Sequence, residues 1–259
     1  MKKTALITGA SSGIGKEFAK IHAANGGNLV IVARSIDKLN KLKITLEKEY
    51  NCNVYVIQKD LILPNATLEI YKEINENNIK IDYLINNAGF GGVGQFNERN
   101  LESDLNMIQL NITALTALTH HFLKDFIKNN DGKILNVSST ASLMPGPLQA
   151  VYFATKAYVT SFSNAIAEEL SNTNITVSNL MPGATETDFG KISGMDKTSM
   201  FKQTANAHQV AKAGYNAMLK GKLDIISGLT FSQKIMMAFI KFLPKKMVLK
   251  QIKNMQKTN

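Results

Sequence analysis

Cysteine is nearly absent from this chain of 259 residues, since Cys52 is the only one. A single cysteine excludes an intramolecular disulfide framework and is typical of a reducing compartment, so we expect a cytoplasmic location. Long apolar runs are also missing. The run at residues 5–7 is too short for a signal peptide, and no stretch reaches the roughly 18 apolar residues that a spanning helix needs.

Arginine is scarce as well, because Arg34 and Arg99 stand against 28 lysines. Arginine does most of the reading of guanine edges, so sequence-specific DNA binding is disfavoured. The net charge of +10 is uneven: residues 231–259 hold seven lysines and no acidic residue. The rest of the chain is close to charge balance and has no basic stripe for a phosphate backbone. We expect no nucleic-acid partner.

The histidines have no spacing to cysteines or carboxylates that is typical of metal ligands, so the sequence predicts no metal site. They are His22, His120, His121 and His208.

Short runs of Val, Ile and Leu alternate with longer helical stretches along the chain. Its composition, 44% hydrophobic and 19% charged, is that of a globular protein. We predict one α/β domain at 1–230, with a doubly wound parallel sheet of about seven strands and helices on both faces, and a basic amphipathic extension at 231–259. The predicted strands are Thr4–Thr8, Asn28–Ala33, Asn53–Lys59, Ile81–Asn86, Lys133–Val137, Ile175–Leu180 and Asp224–Ile226.

A glycine-rich turn follows the first strand, Thr8-Gly9-Ala10-Ser11-Ser12-Gly13-Ile14-Gly15, and runs into a helical pattern at Lys16–Ala24. Glycines at such a turn let the backbone approach a diphosphate, and the start of the helix offers free amides to the anion. A tight turn without a ligand is the alternative. The Gly-x-x-x-Gly-x-Gly spacing is wider than the common dinucleotide fingerprint.

Further motifs follow in order: Asn86-Asn87-Ala88-Gly89, Ser139, Tyr152 and, four residues later, Lys156. Together with the glycine turn, their order and spacing resemble the short-chain dehydrogenase/reductase family, over residues 4 to about 228. The resemblance implies a Rossmann-type fold. It also implies an NAD(P)-dependent enzyme that transfers hydride between the cofactor and a carbonyl or alcohol substrate.

The spacing of Tyr152 and Lys156 in the predicted helix Ala150–Ser171 places both side chains on one helix face. A nearby ammonium lowers the pKa of a phenol toward the range of general acid–base catalysis. A tyrosine beside a surface lysine is the alternative. Of the adjacent Ser138 and Ser139, the family's interval to the tyrosine selects Ser139 as the residue that orients the substrate oxygen.

The resemblance also implies a role for Asn111, which follows the predicted helix Leu101–Leu110. In the family this residue holds a water molecule that relays protons to the lysine. A hydrogen bond to a neighbouring turn is the alternative.

The resemblance further implies a cofactor site along the strand ends. Asp60 matches the position that bonds the adenine, Asn87 borders the ribose, and Thr187 holds the nicotinamide carboxamide. The implied cofactor-binding residues are Gly9, Ser11, Ser12, Gly13, Ile14, Gly15, Arg34, Asp60, Leu61, Asn87, Ala88, Gly89, Tyr152, Lys156, Pro182, Gly183, Thr185 and Thr187.

The end of the second strand bears on the choice of cofactor. An acid there bonds both ribose hydroxyls of NAD, but this chain has Ala33 and then Arg34. A guanidinium holds a 2′-phosphate, so NADP(H) is favoured over NAD(H). Some family members carry a second basic residue where this chain has Ser12. An ion pair of Arg34 with Asp37 is the alternative.

The segment Asp188–Gln203 resembles the family's variable substrate loop. An apolar wall suggests a lipophilic carbonyl compound; its predicted members are Phe90, Gly91, Gly92, Phe96, Met144 and Phe189. The resemblance implies a homodimer or homotetramer formed through the helices Leu101–Lys128 and Ala150–Ser171. A nucleotide sensor without turnover and a membrane-surface adaptor are the alternative functions.

The C-terminal extension (231–259) has an amphipathic pattern. Val248, Ile252 and Met255 fall on one helix face, and lysines including Lys246 and Lys250 fall opposite. The apolar face either covers the chain's own active-site cleft, packs on a partner subunit, or lies on anionic lipid. We favour packing against protein over membrane contact.

Overall fold

The computed structural model describes residues 2–201 and 203–257, which fold around a sheet of seven parallel strands. The strands are β1 (Thr4–Thr8), β2 (Asn28–Ala33), β3 (Val54–Gln58), β4 (Tyr83–Asn86), β5 (Gly132–Val137), β6 (Ile175–Pro182) and β7 (Asp224–Ser227). Their order is β3-β2-β1-β4-β5-β6-β7. The predicted doubly wound sheet is confirmed, and the strand order reverses between β1 and β4.

The predicted bounds of β1 and β2 match, and the other strands differ by one or two residues at an end. β6 extends to Pro182 because its ladder with β7 continues through the pair Pro182 and Ser227. β4 begins at Tyr83, after Asp82, whose carboxylate accepts the Thr4 amide at 2.8 Å. This bond joins residues 78 positions apart, which periodicity along the chain does not reveal.

Helices cover both faces of the sheet. They are α1 (Gly13–Ala24), α2 (Ile36–Glu49), α3 (Ala66–Glu76), α4 (Leu101–Ile108), α5 (Leu115–Asn129), α6 (Ala150–Glu169), α7 (Asp188–Ser193), α8 (Ala207–Leu219), α9 (Phe231–Phe239) and α10 (Lys245–Gln256). Helices α1, α2 and α8 bury their apolar stripes on one face, and α3, α5 and α6 on the other. Neighbouring residues of β1 divide between the two faces: Ile7 belongs to the first and Leu6 to the second.

A third apolar cluster lies apart from the two sheet faces and includes the C-terminal extension. Val248 and Ile252 of α10 pack there with Tyr152, Phe153 and Met195. This face of α10 is therefore buried against its own chain, as we favoured, and is not available to a membrane.

Polar contacts also hold α10 in place. The Gln149 side chain donates to Gln256 Oε1, and Ser199 Oγ donates to the Met255 carbonyl at 3.0 Å. No helix within residues 2–201 and 203–257 combines the length and the hydropathy needed to cross a membrane.

Candidate active site

The turn between β1 and α1 forms one wall of a cleft of about 390 Å³. Gly9 and Gly13 have φ values of +66° and +53°, a region that favours glycine. A side chain at Gly13 would meet the Thr187 methyl carbon at 2.9 Å. The Ser12 side chain does not cap α1, so the first amides of the helix are available to an anion in the cleft.

Thr8 and Asn87 tie the ends of β1 and β4 together. The amides of Asn87 and Ala88 both donate to Thr8 Oγ1 at 3.0 Å, and Asn87 Nδ2 donates to the Thr8 carbonyl at 2.9 Å. Gly15 does not line the cleft; its lack of a side chain lets α1 pack against the Gly9 carbonyl. The sequence analysis missed Thr8, although a hydroxyl at the end of the first strand was a usable signal.

Buried amides continue this support toward α6. Asn86 Nδ2 donates to Asn136 Oδ1 at 2.9 Å and to Thr119 Oγ1 at 3.1 Å, and Asn136 Nδ2 donates to Ser163 Oγ at 2.9 Å. These side chains are buried, so each bond is shielded from water. The network links β4 and β5 to α6, the helix that carries Tyr152.

Ser139, Tyr152 and Lys156 converge on the cleft. The Ser139 hydroxyl lies close enough to the Tyr152 hydroxyl to affect its pKa, and it donates to the Pro182 carbonyl at 3.4 Å. Lys156 Nζ lies 5.9 Å from the centre of the Tyr152 ring and donates to the Val137 carbonyl at 2.9 Å. Ser138 is engaged elsewhere, since its hydroxyl donates to the Lys156 carbonyl at 2.8 Å.

Burial is the main influence on the pKa values of Tyr152 and Lys156. Burial raises the pKa of Tyr152 to about 12, and the nearby Ser139 hydroxyl acts in the opposite direction. Burial lowers the pKa of Lys156 to about 8. The expected lowering of the Tyr152 pKa by Lys156 is therefore not seen, because the effect of burial outweighs it. At neutral pH Tyr152 is a protonated phenol that is able to donate its proton.

Asn111 lies in a π-helical segment, Gln109–Ala114, between α4 and α5. Its side-chain amide donates to the Phe90 carbonyl at 2.9 Å and to Thr155 Oγ1 at 3.1 Å, and it accepts from the Phe90 amide at 3.1 Å. These bonds to the segment after β4 and to α6 agree with the alternative, in which Asn111 bonds a neighbouring segment. The side chain makes these three bonds and does not line the cleft, so the water relay through Asn111 stays a prediction.

Basic side chains border the cleft beyond β2 and β3. Arg34 is exposed and lines the cleft together with Lys38 and Lys59. Within residues 2–201 and 203–257 Arg34 forms no ion pair, so the alternative pairing with Asp37 is wrong. Lys59 pairs with Glu69 at 2.8 Å. Lys38 was missed; its place in the first turn of the helix after β2 was the available signal.

The remaining predicted cofactor residues also line the cleft. Asp60 accepts the amide two residues later at 3.1 Å, which shapes the turn after β3, and Leu61 is buried beside it. Thr185 Oγ1 donates to the Gly183 carbonyl at 2.9 Å. Thr187 begins α7 by accepting an amide two residues later at 3.3 Å. Of the predicted site residues, all but Gly15 and Asn111 line the cleft.

The end of the cleft beside Tyr152 is mainly apolar. Phe96 is exposed and Met144 lines a different cavity of about 40 Å³. The prediction that these two residues belong to the wall is therefore wrong. Gly92 also lies outside it and packs on Arg99. Phe90 and Phe189 line this wall, as predicted. Its other members were not predicted; they are Gln149, Phe153, Ile192, Met195, Met200, Phe201 and Gln256.

The structure describes the predicted substrate loop except for Lys202. The described part is not an open loop. It forms α7 and the short 3₁₀ turns Met195–Lys197 and Ser199–Phe201. Within residues 2–201 and 203–257 no cluster of His, Cys, Asp and Glu side chains could hold a metal ion.

Known proteins share this fold and this sequence pattern. A family model described as short chain dehydrogenase matches residues 3–197. The very-long-chain 3-oxoacyl-CoA reductase of Mus musculus is 31% identical over 266 residues, which cover 96% of this chain and 83% of that protein. The 17-beta-hydroxysteroid dehydrogenase type 3 of Homo sapiens is 33% identical over 195 residues, covering 74% of this chain. Those residues are 62% of the human protein, so the chain spans less than two thirds of its length.

A solved structure is similar over nearly the whole chain. The short-chain dehydrogenase from Sphingobium yanoikuyae, in complex with NADPH, superposes with a TM-score of 0.83 at 30% identity. The superposition covers 94% of this chain and 97% of the other.

Proposed function

This chain belongs to the short-chain dehydrogenase family, and on that premise we propose that it is an NADP-dependent oxidoreductase that interconverts a lipophilic carbonyl compound and its alcohol. One observation carries the proposal: Ser139, Tyr152 and Lys156 lie together in a cleft that also contains the glycine turn. A sensor without turnover would not need a buried phenol held beside a hydroxyl.

The residues present fit a dinucleotide. Uncapped amides at the start of α1 suit a diphosphate, and the Thr185–Thr187 segment lies across the cleft from the turn. When bound, NADP(H) supplies or accepts the hydride. In the reduction, Ser139 orients the carbonyl oxygen and Tyr152 donates the proton to it. Lys156 holds a positive charge beside Tyr152 and has a proton to return to it.

A preference for the 2′-phosphate is part of the proposal. Arg34 and Lys38 border the cleft, and Arg34 is free of ion pairs within the described residues. An exposed guanidinium is well suited to a phosphate, with which it forms charge-assisted, bidentate hydrogen bonds. The NADPH bound in the Sphingobium yanoikuyae enzyme supports this assignment.

A lipophilic substrate is proposed from the cleft wall beside Tyr152, where aromatic and methionine side chains predominate. The names of the two relatives, one acting on very-long-chain 3-oxoacyl-CoA and one on a hydroxysteroid, agree with this choice.

The proposal includes a homodimer or homotetramer in the cytoplasm. Leu101 and Leu105 of α4 are exposed apolar side chains that suit a subunit interface. The one thiol, Cys52, is free and buried, which agrees with a reducing compartment.

The test is oxidation of NADPH, with NADH in parallel, over a panel of aldehydes, ketones and 3-oxoacyl thioesters. We expect Tyr152→Phe to lower kcat/KM by about 10³-fold, since it removes the proton donor. The matched control is Tyr158→Phe, which removes a phenol on the same helix that bonds Thr116 at 3.0 Å. Equal activity of the two variants would contradict the role of Tyr152. Tight NADPH binding without turnover of any substrate would favour a sensor instead.

A further inference from the structure

The first helix of the C-terminal extension exposes a row of large apolar side chains. Phe231, Ile235 and Phe239 are spaced by four residues along α9, so they share one face. Phe231 is 80% and Phe239 60% exposed. Met247 of α10 is also exposed. We call Phe231, Ile235 and Phe239 the outer face of the extension.

The inner side of α9 is apolar too. Met236, Met237 and Ile240 are partly buried and line the cavity of about 40 Å³. The helix therefore uses one apolar side to pack against the protein and presents another to the outside. An apolar surface of this kind on a protein marks an interaction site.

Positive charge surrounds the outer face. Residues 231–259 contain seven lysines and no acidic residue. Lys234 on α9 is exposed, as are Lys245, Lys246, Lys250 and Lys253 on α10. A partner for this surface must accept apolar side chains and supply negative charge nearby.

Charge distinguishes the two candidate partners of the outer face, which are a second copy of the chain and a lipid bilayer. A second copy of the chain would bring two segments with seven lysines each into contact, which is unfavourable. An anionic bilayer provides hydrocarbon for the phenylalanines and headgroup charge for the lysines. We propose that the outer face docks the protein on an anionic lipid bilayer. This role falls on α9, not on the α10 face that the sequence pattern suggested.

The docking surface lies close to the cleft. The cavity beneath α9 shares Thr140, Ala141, Phe153 and Met200 with the cleft that contains Tyr152. The cavity beneath α9 and the reacting end of the cleft thus share a mainly apolar wall. The substrates are then carbonyl compounds dissolved in the bilayer, an inference that rests on the proposed function.

The test is flotation of the full chain with vesicles of equal parts phosphatidylcholine and phosphatidylglycerol, and with vesicles of phosphatidylcholine alone. We expect binding to the anionic vesicles that weakens with salt. The double variant Phe231→Ser/Phe239→Ser should lower the bound fraction at least about tenfold, because burial of two aromatic side chains is lost. The matched control is Phe96→Ser/Ile44→Ser, which removes two similarly exposed side chains outside the extension and should bind as the wild type does.

Two outcomes would overturn the proposal: equal flotation of both double variants, or no flotation of the wild-type protein. If Phe231→Ser/Phe239→Ser changes the mass in light scattering and not the flotation, the occupant is a second copy. Reduction of a water-soluble ketone should be the same in all three proteins. Absence of that activity would contradict the proposed function and leave the flotation result to decide the docking.

Discussion

The two walls of the cleft are built by different kinds of interaction. The wall at the strand ends is held by directional bonds among buried groups, such as the Thr8 hydroxyl and the amides of Asn86 and Asn87. The opposite cover, formed by α7 and α10, is held mainly by packing of aromatic, methionine and aliphatic side chains. Directional bonds fix atoms where chemistry needs them, whereas apolar packing tolerates changes of shape. We infer that the first wall sets the reaction and the cover sets the choice of substrate.

The largest effect on cofactor binding is expected from Arg34, at the strand-end wall. Arg34→Asp should lower the ratio of kcat/KM with NADPH to that with NADH about a hundredfold, because it removes a phosphate partner and adds a repelling charge. Arg34→Lys, which keeps the charge and loses the bidentate geometry, should fall in between. Steady-state kinetics with both cofactors measure the ratio. An unchanged ratio in Arg34→Asp would remove Arg34 from the cofactor site.

A smaller effect is expected from Gly13→Ala, which adds a methyl group at a φ of +53° next to Thr187. We expect the Kd for NADPH to rise about fiftyfold, since a shift of the turn by a fraction of an ångström spoils the anion site. Gly26→Ala is the matched control, because its φ is +80° and its new Cβ meets nothing within 4 Å. Both variants carry backbone strain, so only a difference in NADPH titrations between them supports the site.

Lys156→Met should separate activity from stability. Folding lowers the pKa of Lys156 from 10.5 to about 8. Below pH 8 the folded protein therefore bears the full free-energy cost of burying the ammonium. The cost disappears as the pH rises toward 10.5. The variant also loses the lysine's hydrogen bond to the Val137 carbonyl, which offsets part of this gain. We expect its free energy of unfolding at pH 7 to be about 2 kcal/mol higher than that of the wild type.

Urea unfolding of the cofactor-free protein between pH 7 and pH 10.5 measures this difference. The gain should shrink with rising pH, and the variant should lack activity throughout. A variant that is less stable than the wild type at pH 7 would show that the lysine is well solvated in the folded state.

The smallest effect is expected at the cover. Ile252→Ala removes a buried side chain of α10 and should raise KM for a lipophilic ketone about fivefold, with kcat and the NADPH Kd nearly unchanged. The same substitution in the core, Ile70→Ala on α3, should instead lower the free energy of unfolding by about 3 kcal/mol and leave KM unchanged. Thermal unfolding and kinetics of both variants test the contrast. Equal effects on KM would contradict a substrate role for the cover.

Much of the strand-end wall was accessible from the sequence. Glycines, the Tyr-x-x-x-Lys pair and the residue after each strand are local signals, and a parallel sheet brings strand ends to one edge. Asn111 shows the limit, since its amide partners Phe90 and Thr155 lie 21 and 44 residues away. Gln149 and Gln256 show it more strongly, because they are 107 residues apart and meet only when α10 closes over the cleft.

By itself, the sequence determined the doubly wound sheet and the residues at its carboxyl edge, because short periodic apolar runs and tight turns depend on neighbours along the chain. Only the tertiary structure decided which apolar face of the extension is buried and which is exposed. Both α9 and α10 have the pattern of an amphipathic helix. The residues that cover Val248 and Ile252 come from distant parts of the chain, whereas Phe231 is 80% exposed.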